Sequence, residues 1–276
     1  MNDIKVKKVI RRAVEEDIWV GDITTDNIIE KNKMGKGVIV VKEKAVIAGL
    51  KVAELVFREI DSDLKFEHVK NDGELVNEGD KIAVVQGDIR SILKGERLAL
   101  NFLQRMSGIA TKTRKYVDEI SEYDVRVVDT RKTTPTLRYF EKKAVRAGGG
   151  YNHRMGLYDG VLIKDNHIKS AGSIGEAIEK AKEKIPHTIK IEVEVESIKG
   201  VKEALEKEAD IIMLDNMSSE EMKRSVKMIG DRAISEASGG ITLENIEEVA
   251  KTGVDIISVG ALTHQIESID IGLNLK

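Results

Sequence analysis

The amino-acid sequence predicts an α/β protein in two parts: a small N-terminal α+β domain, then a truncated barrel or open sheet of parallel strands. Three observations predict it. After Gly95, short Val- and Ile-rich runs alternate with helical patterns, as in a parallel sheet buried on both faces and wound with right-handed crossovers. Six such strands are visible, in a stretch much shorter than the roughly 250 residues of a complete eight-fold barrel. The first third of the chain mixes helical and strand-like runs without that βαβ rhythm.

Taken in order, residues 4–17 set Ile4, Val6, Val9, Ile10, Ala13 and Val14 among charges at roughly helical spacing. Strands are predicted over 37–41, 64–69 and 81–86, bounded by Gly and Asn-Asp-Gly turn signals, with a helix over 50–60 between them. The lone Trp19 is expected to anchor packing. A long amphipathic helix is predicted over 96–120, with Ser107-Gly108 as the one place where it could be interrupted. Parallel strands are then expected over 125–128, 160–163, 189–193, 211–214, 233–235 and 255–259. Helices around 137–147, 173–184, 197–208, 219–229 and 242–251 separate them. The domains are placed at 1–110 and 111–276, with the last C-terminal residues able to return to the first.

Composition narrows the function. The chain has 276 residues, 45 Lys and Arg against 48 Asp and Glu, and a net charge of −3. That balance argues against a sequence-independent nucleic-acid coat, which needs a basic excess. Cysteine is absent, which excludes disulfides, thiolate catalysis and Cys-ligated zinc or iron–sulfur centres. No apolar run approaches the roughly 18 residues of a membrane helix. The first residues lack the apolar core of a signal peptide, so a cytoplasmic location is expected.

Parallel α/β folds bind ligands at the carboxyl ends of their strands. The first end carries Asp129, Thr130, Arg131 and Lys132, and the second Lys164, Asp165, Asn166 and His167. The third and fourth end at Glu194 and at Asp215-Asn216. The last two run into Ser238-Gly239-Gly240 and Val259-Gly260-Ala261. The glycine turns suit phosphate, because backbone N–H groups converge there; Thr242 is the expected N-cap of the helix that follows. Arg131, Lys132, Arg154 and Lys164 suit carboxylate or phosphate, whereas Arg138 fits a solvated helix face equally well. Glu194 and Asp215 supply acceptors for sugar hydroxyls, Mg²⁺ or acid–base work. Glu192 and Glu196 share the strand parity of Glu194, so which of the three points inward stays open. His153, beside Arg154 after Gly148-Gly149-Gly150, is a fair ligand contact; His167 and His264 more often cap or pack. The expected substrate is a polyanion with a phosphorylated, hydroxyl-bearing part.

The motifs then resemble a known family, quinolinate phosphoribosyltransferase (nicotinate-nucleotide pyrophosphorylase). The resemblance rests on Thr130-Arg131-Lys132-Thr133-Thr134-Pro135, Gly148-Gly149-Gly150-Tyr151-Asn152-His153-Arg154 and Leu162-Ile163-Lys164-Asp165-Asn166-His167. Glu192-Val193-Glu194-Val195, Leu214-Asp215-Asn216, Glu236-Ala237-Ser238-Gly239-Gly240 and Val259-Gly260-Ala261-Leu262-Thr263-His264 add to it, as does Glu96-Arg97-Leu98-Ala99-Leu100-Asn101. It implies an α/β protein whose small N-terminal α+β domain precedes an open, incomplete, seven-stranded α/β barrel, in a homodimer. It implies that quinolinate and phosphoribosyl pyrophosphate, with Mg²⁺, give nicotinate mononucleotide, pyrophosphate and CO₂. Residues matching Arg131, His153, Arg154 and Lys164 hold the quinolinate carboxylates, and the one matching Arg97 reaches the partner's site. Those matching Lys132, Glu194 and Asp215 serve the ribose hydroxyls and the metal-bearing pyrophosphate; Lys164 is counted with these three as catalytic. Thr130 belongs to the binding set, and Ser238, Gly239, Gly240, Val259, Gly260 and Ala261 to the phosphate cradle. Thr136 stands where the pattern has Gly. The alternatives are a paralogous phosphoribosyltransferase for another acidic heterocycle, or a non-catalytic phosphate-ligand sensor.

Overall fold

The computed structural model describes residues 4–276. In chain order its elements begin with α1 (Ile4–Ile18), α2 (Ile23–Ile28), β1 (Met34–Val41), β2 (Ala45–Val46) and α3 (Leu50–Ile60). Next come β3 (Lys65–His68), β4 (Leu75–Val76), β5 (Lys81–Asp88) and the long α4 (Ile89–Glu119). The middle of the chain holds β6 (Arg126–Val128), α5 (Arg138–Ala147), β7 (Val161–Ile163), α6 (Asp165–Ala171), α7 (Ile174–Lys182) and β8 (Ile191–Val195). It continues with α8 (Ile198–Glu206), β9 (Ile211–Asp215), α9 (Ser219–Ile229) and β10 (Ile234–Ser238). Last are α10 (Ile246–Ala250), β11 (Ile256–Ser258), α11 (Ala261–His264) and β12 (Ile271–Leu275).

The chain forms two compact units. The first comprises the residues up to Arg114, with Thr134–Gly149 and Gln265–Lys276. Its antiparallel sheet has the order β12-β1-β5-β3, so the last strand of the chain pairs with the first. Helix α3 buries Leu50, Val52, Ala53, Val56 and Phe57 on one side, the stripe its 3.6-residue period creates. The helix is not interrupted at Ser107-Gly108, the place the sequence left open. There α4 is continuous, because the Ser107 hydroxyl is buried and accepts the Ala48 N–H at 3.1 Å. Gly108 serves a close approach instead: a Cβ there would lie 2.0 Å from the Glu267 carbonyl oxygen. Helix α5 was expected in the C-terminal domain but belongs to this unit. It is tied to α4 by Arg105, whose Nε and Nη2 donate to Glu141 Oε1 at 3.0 and 2.5 Å, and by the Phe102–Phe140 ring contact at 5.1 Å. Trp19 is no packing anchor. It lies just past α1 at φ 42° with 82% of its surface exposed.

The second unit comprises Lys115–Thr133 and Gly150–His264. Its parallel sheet has six strands in the order β6-β11-β10-β9-β8-β7, where seven were expected. In place of a seventh strand, one residue, Tyr151, forms a parallel bridge to Val128. The Tyr151 N–H donates to the Val127 carbonyl at 2.8 Å, and its carbonyl accepts from Asp129 at 3.1 Å. Ser173, Ser197 and Ser218 cap α7, α8 and α9 with their hydroxyls, which fixes where each crossover helix begins.

Thr136, in the first unit, has φ 69°, the left-handed region in which a β-branched residue is strained and glycine is not. Such strain costs about 1–3 kcal/mol, and glycine's greater freedom in the unfolded chain offsets about 0.4–1 kcal/mol of any gain. Thr136→Gly is expected to stabilise the protein by about 1 kcal/mol, read as a higher urea midpoint with unchanged slope. A lower midpoint contradicts this account of the turn.

Candidate active site

In parallel strands, residues in register project to the same side of the sheet. Glu194, Met213 and Glu236 are in register across β8, β9 and β10, and Asp215 aligns with Ser238 one step nearer the carboxyl ends. Strand β8 extends two residues beyond its predicted end, so Glu194 lies inside it. Glu192, of the same parity, is buried below Glu194, while Glu196 beyond the strand is exposed. That settles the question parity left open: both Glu192 and Glu194 point inward.

The upper part of the site mixes cations and carboxylates. Lys164 follows β7, and its Nζ, half exposed, lies 2.5 Å from Glu194 Oε2. Its backbone N–H donates to His167 Nδ1 at 2.9 Å, which makes His167 a cap for α6. Burial raises the Asp215 carboxyl above its ordinary range, the Glu194 charge adds to this, and Lys164 and Lys132 oppose it. Lys132 is fixed by its carbonyl, which accepts the Thr263 hydroxyl at 2.8 Å, and by its N–H, which donates to Thr130 Oγ1 at 3.0 Å. Its side chain runs against Gly260, where a Cβ would come within 3.1 Å of Lys132 Cδ.

The glycine turns sit at the same strand ends. Gly239 and Gly240 have φ 89° and 62°. A Cβ on Gly239 would meet Asn216 Oδ1 at 2.2 Å, so this position admits only glycine. Asn216 N–H donates to the Ser238 carbonyl at 3.0 Å, linking the turns that follow β9 and β10. The Val259 N–H donates to the Val128 carbonyl, and Gly260 and Ala261 lead into α11. Thr242 is not the N-cap of α10. A turn held by Thr242 N–H to Asn245 Oδ1 (2.9 Å) intervenes, and the helix starts at Ile246.

Deeper, the fully buried Asp129 accepts the His153 N–H at 3.0 Å and the Asn152 Nδ2 at 2.5 Å, clamping the 151–154 segment to the end of β6. His153 Nδ1 accepts the Arg154 N–H at 2.7 Å, so the ring proton is on Nε2. That nitrogen lies 3.1 Å from Glu192 and 3.7 Å from Glu236. Arg154 Nη1 donates to the Gly160 carbonyl at 2.8 Å. Burial and the neighbouring Arg131 guanidinium hold the Arg154 pKa below its ordinary value, and Glu192 opposes the shift. Glu236 is pushed up to about 7, by burial first and then by Glu192, with His153 opposing.

The predicted residues from Thr130 to Ala261 thus belong to the second unit, at the carboxyl ends of its strands or just beneath them. Arg97 is exposed on α4 of the first unit. The predicted site set left out three residues that the structure brings into the site: Asp129, Glu192, which parity had offered beside Glu194, and Glu236. Their signals were present, since Asp129 directly follows a strand, and Glu192 and Glu236 share parity with Glu194 and Ser238.

An end of a parallel sheet that carries guanidiniums, lysines, inward carboxylates and glycine turns defines an enzyme for anionic, phosphate-bearing substrates. The comparisons agree. Residues 22–107 match the model of the quinolinate phosphoribosyl transferase N-terminal domain, and residues 109–274 that of its C-terminal domain. The chain belongs to this family. It is 45% identical to a probable nicotinate-nucleotide pyrophosphorylase [carboxylating] of Methanocaldococcus jannaschii, over 97% of this chain and 96% of that one. A Bacillus subtilis protein of the same name is 42% identical, over 100% of this chain and 95% of its own. The crystal structure of NadC from Streptococcus pyogenes superposes with a TM-score of 0.95 at 40% identity, covering 100% of this chain and 99% of that one.

The raised Glu236 sets a pH dependence of stability. Folded, the group keeps its proton up to about pH 7; unfolded, it releases it near its ordinary 4.5. Its contribution is therefore fully present below the unfolded value and is lost as pH rises through the folded one. Glu236→Gln should melt with the wild type near pH 4.5 and above it at pH 8. Equal melting temperatures at pH 8 contradict the assignment.

Proposed function

We propose that this chain is a quinolinate phosphoribosyltransferase, joining quinolinate to phosphoribosyl pyrophosphate and releasing pyrophosphate and CO₂ to leave nicotinate mononucleotide. The observation that carries the reading is the set of groups gathered at one end of the sheet. The neighbouring Arg131 and Arg154, with Lys164 against Glu194, form a cationic wall, while Glu194, Asp215 and the two glycine turns supply acceptors and backbone donors. The wall takes the two pyridine carboxylates. His153 backs it, since its ring nitrogens already face the Arg154 N–H and the glutamates. Ser238, Gly239, Gly240, Val259, Gly260 and Ala261 cradle the 5′-phosphate through backbone N–H groups.

Departure of pyrophosphate leaves positive charge on the ribose, which Glu194 and Asp215 offset while accepting its hydroxyls. Lys132 and Lys164 orient the anionic leaving group and ring acid against their mutual repulsion. The new ring–ribose bond makes the ring nitrogen quaternary, so the ring carbon keeps the electron pair left when the C–CO₂ bond breaks, and a proton from solvent then forms the C–H bond of nicotinate mononucleotide. The adjacent carboxylates Glu194 and Asp215, the latter raised by burial and then by the Glu194 charge, fit a nearby cation. Mg²⁺ carried mainly by the pyrophosphate, near these two residues, supplies charge neutralisation when bound.

Homodimerisation, with the exposed Arg97 serving the partner's site, and a cytoplasmic location complete the reading. Among the described residues no helix is long and apolar enough to cross a membrane. The test is direct: the protein with quinolinate, phosphoribosyl pyrophosphate and Mg²⁺ should release pyrophosphate and CO₂ in equal amounts. Lys164→Ala should abolish that turnover, at least 100-fold by the usual scale of lost transition-state charge stabilisation, while its circular dichroism matches the wild type. Near-normal CO₂ release from the variant removes Lys164 from the mechanism.

A further inference from the structure

We propose that the site takes up a proton as the pyridine dicarboxylate binds, and that Glu236 receives it. This rests on the reading above and extends it to a residue that reading does not use. The geometry leaves Glu236 unusual. It is only 2% exposed, and its Oε1 has no hydrogen-bond partner among the described residues. The single Nε2–H of His153 can serve one carboxylate, and Glu192 at 3.1 Å takes it; Glu236 at 3.7 Å is beyond hydrogen-bond reach. A buried carboxylate in that position must be matched by positive charge or take a proton.

The groups facing Glu236 come from four directions. Glu192 on β8 repels its charge, while His153 from the 151–154 segment, Lys164 beyond β7 and the Ser258 hydroxyl on β11 favour it. Lys164 is already paired with Glu194, and the nearby Arg154 interacts with Glu192 and with the like-charged Arg131. A dianion bound at that wall claims the same cations. The pair Glu192–Glu236 then loses compensation, and the cheapest repair is one proton from solvent. His153 is the poorer recipient, because a second ring proton would break the bond its Nδ1 accepts from Arg154 N–H. Burial and Glu192 already push Glu236 up to about 7, so its uptake falls within an accessible range. Glu236 is thus a positioning residue: by staying neutral it keeps the floor from repelling the substrate.

The test is a calorimetric titration of the full chain with quinolinate at pH 8, in two buffers of different ionisation enthalpy. Wild type should take up a large fraction of one proton per quinolinate, and its Kd should rise with pH between 7 and 9, by up to about ten-fold per unit for one linked proton. Glu236→Gln should show neither uptake nor slope. No uptake by the wild type, or uptake that persists in the variant, overturns the proposal. So does metal analysis that finds one divalent cation per chain lost on the substitution, since a cation would then occupy the proton's place. Product formation without proton uptake sinks this inference alone, whereas failure of quinolinate to bind or react sinks the functional reading with it.

Discussion

Like charges gathered at one end of a parallel sheet have to be compensated from within the sheet, and that constraint organises the second unit. Strand pleating brings Glu192, Glu194, Asp215 and Glu236 to the inner face, beneath or among Arg131, Arg154, Lys132 and Lys164. At the effective dielectric of a half-dry site, charges about 4 Å apart interact by roughly 4 kcal/mol. Removing one partner of a buried pair typically costs about 3–5 kcal/mol, because the other charge is left stranded. Glu192 and Glu194, which face Arg154 and Lys164, are therefore part of how the bases can be there at all, before any substrate is considered.

Backbone devices hold that arrangement in place. Asp129 spends its carboxylate on the 152–153 segment, and the Tyr151 bridge ties the same segment to β6 at the sheet's edge. Gly239 lets the turn after β10 lie against Asn216, and Gly260 makes room for the Lys132 side chain. These positions determine where the charged groups project, so their substitution would disturb the chemistry without touching a charge.

Much of this was legible in the sequence, for physical reasons. Both-face-buried strands read as apolar runs, and strand ends are where a parallel sheet exposes side chains, so Arg131, Lys164, Glu194, Asp215 and Ser238 could be picked out by position. The family motifs supplied the substrate. What stayed hidden depends on contacts distant in sequence. Nothing local tells that Ser107 and Gly108 lie inside an unbroken helix, because the reasons are Ala48 and Glu267. Helix α5 has the periodicity of a crossover helix, but Glu141 answers Arg105 in the first unit. Trp19 was misread because size predicts burial only where a neighbour covers it. Glu236 reads as one more polar residue until burial and Glu192 reveal what its charge would cost.

The central claim is that one strand-end site holds both reactants in a fixed relation. A crystal structure with nicotinate mononucleotide tests it most directly. The account predicts the phosphate against the backbone of 238–240 and 259–261, the ribose hydroxyls at Glu194 and Asp215, and the pyridine carboxylate turned toward Arg131 and Arg154. A nucleotide whose phosphate lies on the arginines, or one bound away from these strand ends, would contradict it.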